Sequence, residues 1–255
     1  MEEIVKYIDF NIDLGQINGV SNTDAAMELI EYVSSVNIAC GFNSENPLLI
    51  KKAIEHCKFK EKVIGAHISL PKYVENPLSL SDEEIEAIIL YQLGSLASFA
   101  KAYSLNVEYV RPHGAMYVAA CENLDFSVAV ANAIKKFSKW FILYGAAGSV
   151  LKETAAQTNI PIAQEVLLNL PYKTGAVPDF KADRQTETGK SLIRLRRLSN
   201  LSEIEVSENV YEKVDFNTVH FSASDSNVSE LLQEANTIFK PRPVNYNNVV
   251  ESGWV

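Results

Sequence analysis

Seven short runs rich in β-branched and other apolar residues punctuate this chain, at 5–12, 35–40, 62–67, 107–111, 140–144, 160–166 and 217–222. Helical patterns alternate with them at 23–32, 47–57, 82–103, 126–137, 150–157 and 228–239. Strand–helix alternation with short connections calls for parallel strands joined by right-handed crossovers. Seven strands are enough to close a barrel. An open doubly wound sheet is the alternative, but no G-x-G-x-x-G follows any strand run. Local signals agree with the helix limits: Asn46-Pro47 suits an N-cap and first helical position, and Ser81 with Glu84 has capping-box spacing. The expected fold is α/β, a (β/α) barrel of about seven parallel strands.

Composition narrows the function classes. The chain has 255 residues, 47% hydrophobic and 22% charged, an ordinary globular balance that excludes bulk disorder. No Pro/Gly/Ser-rich linker divides it, so one domain over 1–255 is expected, with an irregular insertion around 173–209. A net charge of −9 argues against a nucleic-acid partner, because phosphate contacts need a basic surface. No apolar run approaches the roughly 20 residues a membrane helix needs. The acidic start Met1-Glu2-Glu3-Ile4 offers no secretory signal, so a cytoplasmic location is expected. Cys40, Cys57 and Cys121 lack any C-x-x-C spacing, so neither a disulfide framework nor a zinc ribbon follows.

Polar residues gather where the strand runs end. Asn11 and Asp13 close the first, and Asn37 with the turn Cys40-Gly41-Phe42-Asn43 closes the second. His67 closes the third, Arg111-Pro112-His113-Gly114 the fourth, Glu165 lies near the end of the sixth, and His220 is late in the last. In a parallel barrel those ends share one face, the face that carries active sites. His67 and His113 are the candidate acid–base groups, since imidazole titrates near neutral pH, and Asp13 is placed to orient a histidine or a water. Arg111 has the planar fork to hold a substrate carboxylate or phosphoryl group. Asn11, Asn37, Gly41, Asn43 and Glu165 complete the expected substrate-binding set. His220 divides evenly between a core histidine and a functional one. Asp13, His67 and His113 also have the donor types for a divalent cation, although no metal is assigned. The segment 145–149 lacks the Lys and spacing of a phosphate-binding P-loop and reads as a tight strand-to-helix turn.

The segments Asp9-Phe10-Asn11-Ile12-Asp13-Leu14-Gly15, Asn37-Ile38-Ala39-Cys40-Gly41-Phe42, Gly65-Ala66-His67, Tyr91-Gln92-Leu93-Gly94 and Arg111-Pro112-His113-Gly114-Ala115-Met116-Tyr117 together resemble the LamB/YcsF family, which includes the A subunit of bacterial ATP-dependent 5-oxoprolinase. The resemblance covers the first half of the chain closely; in the second half it rests on Glu165-Val166, Tyr172 and Val219-His220. It implies a barrel of the glycoside hydrolase/deacetylase type. It also implies a role in opening 5-oxoproline (pyroglutamate) to glutamate, with two partner subunits that use ATP. No tightly bound cofactor is expected on this chain.

Several family positions that are ionisable elsewhere read as neutral here. Gln16 replaces a Glu, Asn43 a His, Asn46 an Asp, Asn169 an Asp and Leu170 an Arg in the family pattern. An amide keeps shape and hydrogen bonding but exchanges no proton at pH 7. Two alternatives therefore stand beside the lactam-opening reading: a catalytically weakened paralogue that binds a small ligand or partner subunits, and a metal-dependent deacetylase-like hydrolase.

Overall fold

A computed structural model describes residues 8–15, 27–44, 46–183, 188–223, 225, 227–245 and 247. Gln16, residues 5–7 of the first strand run and residues 23–26 of the first helical pattern lie outside the described residues, as does the side chain of Asn43. Seven parallel strands close a barrel: β1 (Asp9–Leu14), β2 (Ser35–Ala39), β3 (Val63–Ile68), β4 (Val107–Pro112), β5 (Ile142–Ala146), β6 (Ile162–Leu167) and β11 (Thr218–Phe221). They run round the barrel in the order β1-β11-β6-β5-β4-β3-β2, and β1 pairs with both β2 and β11 to complete the ring. Around it lie helices α1 (Pro47–Phe59), α2 (Asp82–Ala102), α3 (Gly114–Glu122), α4 (Leu124–Phe137), α5 (Leu151–Thr158), α6 (Thr188–Leu201) and α7 (Val228–Ile238), with short 3₁₀ turns at Leu29–Tyr32, Gly41–Asn43 and Pro77–Ser79.

The strand pattern decides which side chains go where. In β1, Phe10, Ile12 and Leu14 join the main apolar cluster, which also includes Ile54 of α1, Ile89 of α2 and Leu232 of α7. The alternate residues Asp9, Asn11 and Asp13 make their bonds across the barrel interior, as the two-residue period of a strand requires. The interior is thus polar along much of its length and closed by a separate apolar cluster of Tyr109, Ile142, Tyr144, Ala163 and Val244. Gly65 makes this possible. A Cβ there would lie 2.1 Å from the Tyr109 ring, so only glycine leaves the tyrosine its interior place, stacked on Tyr144 at 4.1 Å.

All seven strand runs become barrel strands; the first, expected at 5–12, runs on to Leu14, and the shift of the fifth has a clear cause. The fifth was expected at 140–144 and forms at Ile142–Ala146, because Trp140 stays 56% exposed beside Lys139 and does not enter the sheet. Ser81 and Glu84 do form a reciprocal capping box at the start of α2, and the Asn46 side chain accepts from Leu48 N ahead of Pro47. The 173–209 stretch is more regular than expected. Short strands β7 (Tyr172–Lys173) and β8 (Val177–Pro178) pair antiparallel, α6 follows, and β9 (Glu203–Ser207) pairs with β10 (Val210–Lys213). Leu195 and Leu198, three residues apart, bury the inner face of α6, and Arg194 Nη1 donates to the carbonyls of Leu168 and Leu170 beyond β6.

Candidate active site

Parallel registers bring the strand-end residues into one cluster. Asp13 of β1 lies level with Asn37 of β2, His67 of β3 is level with Arg111 of β4, and Asn11 of β1 is level with His220 of β11. Each is on an inward position near a strand carboxyl end, where a parallel barrel opens to ligands. His113 follows β4 as the N-cap residue of α3, and its ring meets that of His67 edge to face at 4.6 Å.

Asp13 is the hub. Its Oδ1 accepts from Asn37 Nδ2 at 2.8 Å and from Arg111 Nη1 at 3.5 Å, and faces His67 Nδ1 at 3.6 Å. Its Oδ2 faces His220 Nε2 at 3.7 Å. Burial pushes the Asp13 carboxyl up, but His67, Arg111, His220 and His113 together outweigh this and hold it well below the usual carboxylate range. His67 is fully buried, and burial, opposed by Asp13, holds its imidazole well below its ordinary value and therefore neutral. At pH 7 the pocket thus holds an ionised carboxylate beside a neutral imidazole, a pair of unlike proton affinities suited to acid–base work.

Four residues expected to touch substrate instead form a buried support beneath this hub. Arg111 Nε donates to Glu165 Oε1 at 2.9 Å and Nη2 to Oε2 at 2.8 Å, so the fork expected for a substrate carboxylate is already occupied by a protein one. Glu165 is fully buried and also accepts from Tyr117 OH at 2.8 Å and Asn11 Nδ2 at 2.9 Å. Burial raises the Glu165 carboxyl, yet the charges of Arg111 and His220 together with the Arg111 and Tyr117 hydrogen bonds outweigh it and keep the group ionised. Asn11 Oδ1 accepts from Asn37 Nδ2 at 2.7 Å, and Asn37 Oδ1 from Tyr109 OH at 2.7 Å. Groups bonded to one another in this way hold the shape of the site. Gly41 opens the turn after β2 at φ +58°, and a Cβ there would sit 2.4 Å from Gln92 Cγ, so it serves packing against α2. Asn169 and Leu170 are buried beyond β6, Leu170 in an apolar cluster with Tyr117 and Leu167.

His220 belongs to the site: its Nδ1 lies 2.8 Å from Asn11 Oδ1 and its Nε2 faces Asp13. Sequence reasoning missed Asp9, Tyr117 and Thr218. The period-two spacing of Asp9, Asn11 and Asp13 marks Asp9 as inward-facing, and Tyr117 closes the Arg-Pro-His-Gly-Ala-Met-Tyr run. Asp9 has no charged partner among its hydrogen bonds; Ser34, Ser35, Thr218 and Tyr144 hydroxyls donate to it at 2.6–3.2 Å. Burial pushes its carboxyl up to about 6 against those bonds. The thiols play no part: burial pushes Cys40, Cys57 and Cys121 up to about 12, far from reactive.

Ligand atoms of Asp13, His67 and His113 lie within 4.8 Å of one another, close enough for a cation. The donor chemistry does not fit one. Arg111 Nη1 is 3.3 Å from His67 Nε2 and can only donate, so Nε2 carries the lone pair and Nδ1 the proton that faces Asp13. The guanidinium supplies the positive charge here, and His67 turns an N–H toward the cluster where a metal would need a lone pair.

A closed parallel β/α barrel with an ionised carboxylate, three imidazoles and a guanidinium at its strand ends has the architecture of an enzyme-type barrel. The chain belongs to the LamB/YcsF family, whose sequence profile matches residues 8–245. It is 34% identical over 184 residues to the 5-oxoprolinase A subunit of Geobacillus thermodenitrificans, covering 71% of this chain and 72% of that protein. It superposes on a lactam utilization protein from Thermus thermophilus with a TM-score of 0.80 at 28% identity, over 91% of this chain and 96% of the other. In fold alone it is also similar to a second bacterial protein, from Enterococcus faecalis, with a TM-score of 0.58 at 14% identity over 96% and 99% of the two chains.

Proposed function

We propose that this chain is the lactam-opening component of an ATP-dependent 5-oxoprolinase, converting 5-oxoproline to glutamate together with partner subunits. The observation that carries the reading is the ionised Asp13 carboxylate between His67 and His220, backed by Arg111, at the mouth of a LamB/YcsF barrel. Support for the substrate class comes from the 5-oxoprolinase and lactam utilization relatives.

The chemistry assigns the roles. An unstrained five-membered lactam is a poor electrophile, and phosphorylating its amide oxygen would supply a leaving group. The sequence has no recognisable nucleotide-binding motif, so that step falls to the partners. In the barrel, Asp13 and His220 take a proton from a water as its oxygen bonds to the lactam carbon. The carbon–nitrogen bond then breaks as His113, half-buried, gives a proton to the leaving nitrogen, and a second water cleaves the acyl phosphate so formed, releasing inorganic phosphate and leaving glutamate. Positioned acid–base groups of this kind contribute about 10²–10⁴-fold in rate.

The test is conversion of 5-oxoproline to glutamate with ATP, using the purified chain with and without candidate partner subunits. Glutamate formed only by the combination supports the assignment. Steady, substrate-dependent phosphate release by the single chain would contradict the division of labour. A second reading, a weakened paralogue that binds small acids without turnover, draws on the burial of Leu170 in an apolar cluster. Binding of 5-oxoproline with no glutamate from the full set of subunits would favour it.

A further inference from the structure

We infer that the buried polar network of Arg111, Glu165, Asn11 and Asn37 is a positioning device that fixes both histidines flanking Asp13 as the Nδ1–H tautomer, so that they turn opposite kinds of nitrogen toward it. Two kinds of group here have fixed hydrogen-bonding roles: an ionised carboxylate only accepts, and a guanidinium only donates. Glu165 Oε1 lies 2.9 Å and the Val219 carbonyl 3.4 Å from one end of the Asn11 side chain, so that end must be the NH₂. The opposite end of Asn11 is therefore the carbonyl oxygen. Asn37 agrees: its NH₂ end is fixed by Asp13 Oδ1 at 2.8 Å and also reaches Asn11 Oδ1 at 2.7 Å. With Asn11 so oriented, His220 Nδ1, 2.8 Å from Asn11 Oδ1, has to carry a proton. In the neutral ring Nε2 then holds the lone pair, and it is Nε2 that faces Asp13 Oδ2 at 3.7 Å.

The same guanidinium fixes the other histidine directly. Arg111 Nη1 donates to His67 Nε2 at 3.3 Å, which leaves the proton of neutral His67 on Nδ1, facing Asp13 Oδ1 at 3.6 Å. One ring thus shows Asp13 an N–H and the other shows it a lone pair. The two carboxylate oxygens become unequal: Oδ1 is surrounded by donors, and Oδ2 shares its side of the pocket with a base. A proton entering the pocket is directed to the Asp13 Oδ2–His220 Nε2 side. The catalytic meaning of this asymmetry rests on the acid–base reading of Asp13 and His220 given above; the tautomers themselves do not.

The test is ¹⁵N-correlated NMR of the imidazole rings in the full chain, at a pH where the rings are neutral. The sequence has four histidines, so single His→Gln variants assign the signals. In the wild type, both His67 and His220 are expected as the Nδ1–H form. In Asn11→Ala the acceptor facing His220 Nδ1 is removed, and the Nδ1–H to Nε2–H ratio of His220 is expected to fall by about tenfold or more. Glu165→Gln should leave the His220 tautomer in place, because the Val219 carbonyl and Asn37 still hold Asn11, and the wild-type measurement keeps the test in hand if Asn11→Ala does not fold. A wild-type His220 in the Nε2–H form would overturn the inference. So would an unchanged His220 tautomer in folded Asn11→Ala. No turnover is measured, so absence of lactam opening would count against the proposed function and leave this result standing.

Discussion

Arg111 and Glu165 meet across the barrel interior in a two-pronged pair, 2.9 Å from Nε to Oε1 and 2.8 Å from Nη2 to Oε2, with neither side chain more than 6% exposed. Breaking a buried pair by removing one partner leaves the other charge uncompensated, which typically costs about 3–5 kcal/mol. Glu165→Gln should lower unfolding stability by that order in urea titration. Replacing both charges together, as Arg111→Met with Glu165→Leu, should recover part of the loss. A Glu165→Gln cost under about 1 kcal/mol would show that the pair contributes little to the fold.

Asp9 makes a prediction of opposite sign to most carboxylates. Its folded value, raised from 3.8 to about 6, lies above the unfolded one, so the native state holds a proton longer than the unfolded state. Stability from this group is therefore full below about pH 4 and falls as pH rises towards and past 6, by about 3 kcal/mol. Asp13 and Glu165, held below the usual range, act the other way and lose their contribution as pH falls. Comparing wild type with Asp9→Asn separates the two. The wild type should lose ground to the variant between about pH 4 and pH 7. Parallel stability curves across that range would show that Asp9 is not perturbed.

How far the sequence discloses this arrangement depends on range. Strand identity is a local property, and the apolar runs locate all seven barrel strands. Inward placement is also local where the period is plain, as in Asp9-Phe10-Asn11-Ile12-Asp13. Helix α3 leaves no such trace, because Met116, Tyr117, Ala119, Ala120 and Cys121 are buried around most of its circumference and no amphipathic stripe results. The roles of Arg111 and Glu165 are illegible for a different reason. They are 54 residues apart, on β4 and β6, and their pairing depends on the order in which the strands close the ring. From sequence alone Arg111 looks like a ligand clamp; only the closed barrel shows that its fork is filled.

Gly65→Ala tests the packing that holds Tyr109 inside the barrel. The added methyl would overlap the ring, and overpacking a filled interior costs about 1–3 kcal/mol, occasionally more. The displaced ring also gives up its hydroxyl bond to Asn37 Oδ1, loosening the support of Asp13. A drop in thermal midpoint together with reduced ligand binding is expected. An unchanged midpoint would mean the ring has another place to go.

The central claim is that Asp13, with His220 at its Oδ2, performs the proton transfer of lactam opening. Glutamate formation from 5-oxoproline and ATP, measured in the presence of the partner subunits for wild type, Asp13→Asn and His220→Gln, tests it directly. Each substitution should lower kcat by about 10²–10⁴-fold while the chain remains folded and able to bind the partners. Turnover within about twofold of wild type in folded Asp13→Asn would contradict the claim and place the chemistry elsewhere.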